Sequence, residues 1–343
     1  MPALQVAAAL RAEGASVDWI GGERAESELV PAAGIPFHPL PAEGISRTNP
    51  LRAARAVGKA GVALGRARRL LGALRADVVL GGGGYVAGPV GLAAVLRRVP
   101  LVLTEADSHL GLTNRALAPW ARRVCLAFAI AGREGARYRV TGRPVPPPAS
   151  DRPAARGALG LDESHRLVLV FGGSLGARSL NAAAPEAFAG ASYRVLHITG
   201  PRDFATVTAP DDGYETRPYV ADFGPVLLAA DLVVARAGGS LWEVVAHGRP
   251  SILVPYPHAT ADHQTHNARW LERAGAAVVL PDAELTPERL RAEVDALLGD
   301  TGRLSAMGRA AAGFARPHAA RDVAREVLAA AGPRRRPPIA PST

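Results

Sequence analysis

Short apolar runs rich in valine, leucine and isoleucine alternate with alanine-rich stretches through almost the whole chain, and no other feature restricts the fold as much. Residues 16–20, 77–80, 101–104, 123–127, 167–171, 194–198, 232–235 and 251–255 are runs of strand length with little polar alternation. Strands buried on both faces of a parallel sheet read this way. Strand and helix in alternation predict an α/β doubly wound architecture. Near the middle, residues 142–153 hold five prolines in twelve positions. A strand running into a glycine-rich turn lies on each side of that segment: Asp77-Val78-Val79-Leu80-Gly81-Gly82-Gly83-Gly84 before it and Leu167-Val168-Leu169-Val170-Phe171-Gly172-Gly173-Ser174 after it. Two Rossmann-like domains facing each other across a cleft are the simplest expectation. They would comprise residues 1–145, a proline-rich linker at 146–153, and residues 154–332, with the last helix able to pack back on the first domain and a disordered tail at 333–343.

The chain opens on a helix-like stretch, residues 2–12, followed by Gly14 and the first apolar run. A doubly wound domain ordinarily begins with a central strand that feeds a glycine-rich turn into such a helix. That strand and turn are expected to be missing here, which would leave neighbouring strands with unpaired edges.

Cys125 is the only cysteine, so no disulfide forms within the chain and a reducing cytoplasm is the expected compartment. The longest uncharged run, residues 78–96, has membrane-spanning length but contains Gly81 to Gly84, Gly88, Pro89 and Gly91, and it reads as strand, loop and helix. No basic region followed by an apolar core and a cleavage site marks the N-terminus for secretion. A net charge of +9 invites a nucleic-acid reading, but aromatics are 5% and no recognition module is present.

The candidate chemistry sits at strand-to-helix junctions. Gly172-Gly173-Ser174-Leu175-Gly176-Ala177-Arg178-Ser179-Leu180-Asn181 could bring backbone N–H groups and the Ser174 hydroxyl against a phosphate, or be a tight turn without a ligand. No acidic residue follows the next strand, so it is a poor nicotinamide-cofactor fingerprint. At Ala235-Arg236-Ala237-Gly238-Gly239-Ser240-Leu241-Trp242-Glu243, Ser240 and Glu243 could form a capping box, or Glu243 could accept hydrogen bonds from ribose hydroxyls. His258, His263 and His266 have no matching second ligand pair, so no metal is expected; a loop using Gln264 and Asn267 on sugar hydroxyls suits the residues better. In the first half, Gly83-Gly84-Tyr85-Val86-Ala87-Gly88-Pro89 and Thr104-Glu105-Ala106-Asp107-Ser108-His109-Leu110-Gly111-Leu112-Thr113-Asn114 both follow strands. Glu105 and Asp107 are candidate general bases, with helix capping by Asp107 or Ser108 as the alternative.

Taken in order, these motifs, with Arg236-Ala237-Gly238 and the stretch from Pro255 to Ala276, resemble the MurG family of undecaprenyldiphospho-muramoylpentapeptide β-N-acetylglucosaminyltransferases, glycosyltransferase family 28 with the GT-B fold. The similarity covers about residues 2 to 330. It implies an inverting hexosyltransferase, acting without a cofactor, that moves N-acetylglucosamine from UDP-N-acetylglucosamine to the C4 hydroxyl of lipid I. The product would be lipid II for peptidoglycan and cell wall biogenesis, hence for cell shape and division. The resemblance places Gly172, Gly173 and Ser174 on the donor diphosphate, Val220 beside the uracil, Gly239, Ser240 and Leu241 at the phosphate, Glu243 on the ribose and Gln264 on the sugar. Tyr85, Glu105, Asp107 and Asn114 would face the acceptor or the transferred sugar.

Several positions depart from the family pattern. The family's first glycine-rich loop, with its proposed histidine base, would fall before Met1. Glu105-Ala106-Asp107 stands where Glu-Gln-Asn is usual. Gly142-Arg143-Pro144-Val145-Pro146 replaces Gly-Asn-Pro-Val-Arg, so a donor contact made by the last arginine is lost or passes to Arg143. One residue is missing before Glu243. A noncatalytic nucleotide-sugar-binding protein, or a GT-B transferase with another acceptor, are therefore the competing readings.

The charge is one-sided. Residues 1–150 carry 19 basic and 10 acidic groups, the whole of the +9, while the rest of the chain is neutral. Between Glu43 and Asp77 stand Arg47, Arg52, Arg55, Lys59, Arg66, Arg68, Arg69 and Arg75 with no acid, interleaved with Leu51, Val57, Val62, Leu64, Leu70, Leu71 and Leu74. Such a helix could rest on anionic lipids, placing the protein peripherally on the inner face of the cell membrane, or be an ordinary solvated face.

Overall fold

The computed structural model describes residues 2–22, 26–41, 50–173 and 176–332, and no side chains at 50–57 or 260. Ser174 and the tail at 333–343 lie outside them. The chain divides into two compact units, Met1–Pro144 with His318–Thr343, and Val145–Pro317.

The first unit contains α1 (Pro2–Ala12), β1 (Trp19–Gly21), α2 (Glu26–Ala32), β2 (Phe37–Pro39), α3 (Pro50–Ala73), β3 (Val79–Gly81), α4 (Gly84–Leu96), β4 (Leu101–Glu105), α5 (Leu112–Leu117), β5 (Arg123–Leu126) and β6 (Tyr138–Val140). The second contains α6 (Arg152–Gly157), β7 (Leu167–Phe171), α7 (Arg178–Phe188), β8 (Arg194–Ile198), β9 (Tyr214–Arg217), α8 (Phe223–Ala229), β10 (Leu232–Ala235), α9 (Leu241–Ala246), β11 (Ser251–Leu253), α10 (His263–Arg273), β12 (Ala277–Val279), α11 (Pro287–Gly299) and α12 (Thr301–Gly313). Helix α13 (Ala319–Ala331) returns to the first unit. The proline-rich segment is irregular up to Asp151, whose side chain accepts the Ala154 N–H and caps α6.

In the second unit all pairings are parallel and the strand order is β12-β11-β10-β7-β8-β9. The five residues of β7 are all buried. Val168 and Val170 face α7, α11 and α12, while Leu167, Leu169 and Phe171 face α8, following the period of two along a strand.

The first unit's strands form two separate parallel sheets, β1-β2 and β3-β4-β5-β6. Among the described strands, β1 pairs only with β2 and β3 only with β4, leaving one edge of each unpaired. The apolar run predicted at 16–20 becomes a strand only at Trp19–Gly21. Val6 and Leu10 of α1 and Val323, Ala324 and Val327 of α13 cover one face of the larger sheet against Val102 and Cys125. Helices α3 and α4 cover the other through Ala67, Leu71, Val90 and Ala94. Arg123 fastens α13 further, donating from Nε to Glu326 at 2.9 Å.

Helices α3 and α4 close with the same backbone device. The Arg98 N–H reaches Val95 O and the Val99 N–H reaches Ala94 O, with Arg98 at φ +57°; Arg75 at φ +49° repeats this after α3. Glycine is the residue that adopts this left-handed position without steric cost. Arg98→Gly is therefore expected to raise unfolding stability by roughly 0.5–1 kcal/mol. A lowered or unchanged urea midpoint would refute the strain.

Candidate active site

Strand β7 pairs directly with β10, yet the chain reaches β10 only after visiting β8 and β9 on the far side. This reversal of strand order places the loops after β7 and β10 side by side at the carboxyl edge of the sheet, where doubly wound folds bind ligands. The loop after β7 is tightly folded. A Cβ on Gly172 would collide with Ala177, and one on Gly176, at φ +78°, would collide with the Thr199 carbonyl oxygen. Among the described residues, the N–H groups of Gly173, Gly239 and Ser240 have no acceptor. Ser240 makes no side-chain cap to α9, so the capping-box reading of Ser240 and Glu243 is not what the structure shows. Ser174 lies outside the described residues.

Gln264 begins the second residue of α10, just after Ala261 and Asp262, both non-glycine residues at φ +52°. Its side-chain oxygen accepts the Tyr256 N–H at 3.0 Å. Its amide nitrogen stands 3.5 Å from where a Cβ on Gly238 would be, which brings it to the loop after β10. Val220, following β9, is half-buried against the core beneath Phe171. Leu241 is buried in the first turn of α9, and Glu243 is half-buried one residue later than Trp242. Among the described residues no group of three or more His, Cys, Asp and Glu is placed to hold a metal.

The β7 loop is held from behind by a buried polar chain. Tyr214 Oη lies 2.7 Å from His197 Nδ1, and His197 Nε2 lies 3.0 Å from Asn181 Oδ1. An amide oxygen only accepts, so Nε2 carries the proton and the tyrosine donates to Nδ1. Asn181 then donates to Thr199 O at 2.9 Å, the carbonyl against which Gly176 packs. Burial of His197 lowers its pKa to about 4 from the ordinary 6.5. The unfolded chain takes up this proton below about 6.5 while the folded protein resists it, so the associated stability is present above pH 6.5 and lost as pH falls towards 4. The loss is on the order of 3 kcal/mol. Urea unfolding at pH 7 and 4.5 is expected to show this slope, and its survival in His197→Gln would show that another group causes it.

In the first unit the loop after β4 is built around Glu105. One carboxylate oxygen accepts the N–H groups of Ala106 at 2.9 Å and Asp107 at 3.2 Å, and the other accepts Gly111 N–H at 2.8 Å and the Asn114 amide at 2.9 Å. Glu105 is 8% exposed and Asn114 2%. Both are candidate substrate-facing residues, and both also shape this loop; Asn114 Oδ1 is buried without a hydrogen-bond partner among the described residues. Asp107 is half-exposed, and among the described residues no hydrogen bond or ion pair reaches its carboxylate. Neither Asp107 nor Ser108 caps the following helix, whose N-cap is Gly111. The Tyr85 hydroxyl lies close to Gly22, where a Cβ would meet it at 3.0 Å. Arg143 is half-buried in the first unit, one residue before its boundary. Glu105→Gln replaces one acceptor oxygen by an NH2 donor that faces fixed N–H donors, and is expected to cost on the order of 3 kcal/mol in urea unfolding. Asp107→Asn is expected to stay within about 0.5 kcal/mol. Equal stabilities for the two variants would overturn this division of labour.

The sequence singled out every loop just described but missed Asp282 and the role of Arg236, which the fold brings together at 2.6 Å across 46 residues.

The glycosyltransferase family 28 N-terminal domain model matches residues 1–126, and the family's C-terminal domain model matches residues 167–323. The structure of MurG from Acinetobacter baumannii superposes with a TM-score of 0.78 at 30% identity, covering 96% of this chain and 95% of that one. The calicheamicin glycosyltransferase CalG4 shares the fold alone, with a TM-score of 0.70 at 18% identity over 97% and 96% of the two chains. The fold and its two Rossmann-like units are thus those of GT-B glycosyltransferases. Two curated relatives carry the name UDP-N-acetylglucosamine–N-acetylmuramyl-(pentapeptide) pyrophosphoryl-undecaprenol N-acetylglucosamine transferase. The one from Moorella thermoacetica is 40% identical over 95% of this chain and 94% of its own length, and the one from Rubrobacter xylanophilus 41% over 95% and 98%. The chain belongs to glycosyltransferase family 28, in its MurG group.

Proposed function

We propose that this chain transfers N-acetylglucosamine from UDP-N-acetylglucosamine to the C4 hydroxyl of undecaprenyl-diphospho-N-acetylmuramoyl-pentapeptide, converting lipid I to lipid II with inversion. The observation that carries the reading is about 40% identity, over nearly the full length, to relatives named for this transfer. The second unit supplies a matching donor cradle. The amides of Gly173, Gly239 and Ser240, which meet no acceptor among the described residues, suit a diphosphate, with Gly172 letting the backbone approach it closely. Glu243 would accept from the ribose hydroxyls, Val220 would border the uracil, and Gln264, with its amide group beside Gly238, would read the sugar. In the reaction the acceptor C4 oxygen forms a bond to the sugar C1 as the C1–O bond to the β-phosphate breaks, and UDP leaves with the electron pair. The hydroxyl proton goes to a base, and Asp107 is the acid of the β4 loop whose carboxylate meets no partner among the described residues. Glu105 and Asn114 hold that loop, while Tyr85 and Arg143 remain on the acceptor-bearing unit.

The first unit also carries the features of a lipid-resting face. Val62 on α3, Leu92 and Leu96 on α4, Leu112 and Trp120 are exposed, with Trp120 61% accessible. Arg66, Arg68, Arg69, Arg97, Arg98 and Arg115 are exposed on the same helices or their ends. Leu71 is buried and Leu64 packs on the core, so part of the apolar content of α3 serves the fold. Arg47 and the side chains of Arg52 and Arg55 lie outside the described residues. Among the described residues no helix is long and apolar enough to cross a membrane, so contact with the inner membrane surface would be peripheral.

Purified protein is expected to convert lipid I and UDP-N-acetylglucosamine to lipid II, and Asp107→Asn to lower kcat by roughly 10²–10⁴-fold. Donor binding without turnover would favour a noncatalytic binder, and turnover only with a different acceptor would move the chain to another transferase. Flotation with phosphatidylglycerol vesicles is expected to capture the protein at low salt and release it at high salt; capture indifferent to lipid charge would remove the electrostatic part of the membrane reading.

A further inference from the structure

Arg236 stands between β10 and the Gly238–Leu241 segment of the donor cradle, and its guanidinium is almost wholly enclosed, with 6% of the residue exposed. A buried cation is costly unless every side of it meets an acceptor. Here Nη1 donates to the carbonyl oxygens of Val254 and Pro255, each at 3.0 Å, and to Asp282 Oδ1 at 2.6 Å. Nη2 donates to Ser179 Oγ at 2.7 Å, and that hydroxyl in turn donates to Asp282 Oδ1 at 2.7 Å. The Tyr256 ring lies 5.5 Å from the guanidinium carbon.

These partners belong to the separate pieces of the cradle. Ser179 is in the first turn of α7, two residues after Ala177, against which Gly172 packs. Val254, Pro255 and Tyr256 form the exit of β11, and the Tyr256 N–H holds the Gln264 side chain at 3.0 Å. Asp282 comes from the segment after β12. A single planar fork therefore ties the diphosphate loop to the residue that would read the sugar. With the guanidinium bound to these groups, Arg236 acts by fixing residues that would meet the ligand.

We propose that Arg236, with Ser179 and Asp282, is the positioning residue that sets the spacing between the diphosphate loop and Gln264 and thereby the affinity for the nucleotide sugar. The proposal rests on the donor reading given above. A lysine keeps the charge but lacks the fork, so it cannot meet Ser179 and the β11 carbonyls together. Displacements below an ångström at positioned groups are enough to cost an order of magnitude or more.

The test compares wild type, Arg236→Lys, Ser179→Ala, Asp282→Asn and Arg156→Lys by UDP-N-acetylglucosamine calorimetry, lipid II synthesis and thermal unfolding. Arg156 is the comparison because it is also a buried arginine, paired with Asp231 at 3.3 Å and bound to the carbonyls of Asp162 and His165, but it fastens α6 and touches no part of the cradle. Arg236→Lys is expected to raise the donor KM and Kd about tenfold with kcat changed less than about threefold. Ser179→Ala and Asp282→Asn are expected to move the same constants by smaller factors, and they decide the matter if Arg236→Lys does not fold. Arg156→Lys is expected to lower the unfolding temperature with KM unchanged. Wild-type donor affinity in Arg236→Lys, or in both Ser179→Ala and Asp282→Asn, overturns the proposal, as does a pattern in which Arg236→Lys matches Arg156→Lys. Absence of donor binding in the wild type would instead overturn the donor reading itself.

Discussion

The pairing of β7 with β10 is the constraint on which the second unit depends. Both strands are buried along their whole length, Leu-Val-Leu-Val-Phe against Leu-Val-Val-Ala, with Val168 opposite Leu232 and Phe171 opposite Ala235. A slip of one residue would turn Val168 and Val170 away from α7 and α11 and send Leu169 and Phe171 there instead, so the apolar pattern fixes the register. Fixing the register fixes where both strands end. The two loops that would hold a diphosphate are therefore placed by the hydrophobic interior, before any polar contact is made.

Polar contacts then lock what the apolar core has placed. Among the buried polar centres of the second unit, three sit at different positions along the strands, and the difference has consequences. Arg156 with Asp231 lies at the entry of β7 and β10, where the Leu167 N–H also reaches Asp231 at 2.8 Å, and it fastens α6 to the sheet. His197 lies within β8 and passes its hold through Asn181 to the Thr199 carbonyl. Arg236 lies at the exit of β10 and joins Ser179, the exit of β11 and Asp282. Replacing a buried ion pair by apolar groups often leaves stability unharmed, so stability alone does not explain an arginine at the exit of β10. A guanidinium there has directional reach in a plane to three different segments, which no apolar side chain offers.

Strands buried on both faces were legible to the residue. Those at 167–171, 194–198 and 232–235 coincide with β7, β8 and β10 because continuous apolar runs of strand length are stable where both faces of a parallel sheet are covered. The short outer strands were not legible. Phe37–Pro39, Tyr138–Val140 and Tyr214–Arg217 are three or four residues long, with half-exposed or polar members, and acquire their conformation from a neighbour's edge. Glycine-bearing loops were visible in sequence because a turn that crowds Ala177 or Thr199 admits only glycine. The partners of Arg236 were invisible, since Ser179 and Asp282 come together only after the five strands β8 to β12 and their helices have been laid down.

Glu105 shows how a residue chosen for its chemistry can serve the backbone instead. A carboxylate that accepts three N–H groups and an amide has spent the lone pairs that a general base would need. What it achieves is a loop tied together from residue 106 to residue 114, in which the side chain two positions later, Asp107, meets no partner among the described residues. Asn114 belongs to the same device, since its amide bridges Glu105 and the Thr104 carbonyl and it is itself buried. In the family pattern the place of Asp107 is held by an amide, which cannot take a proton. The acid at this position, on a loop already organised by Glu105, would give the proposed transfer a base that the usual Glu-Gln-Asn sequence would not supply.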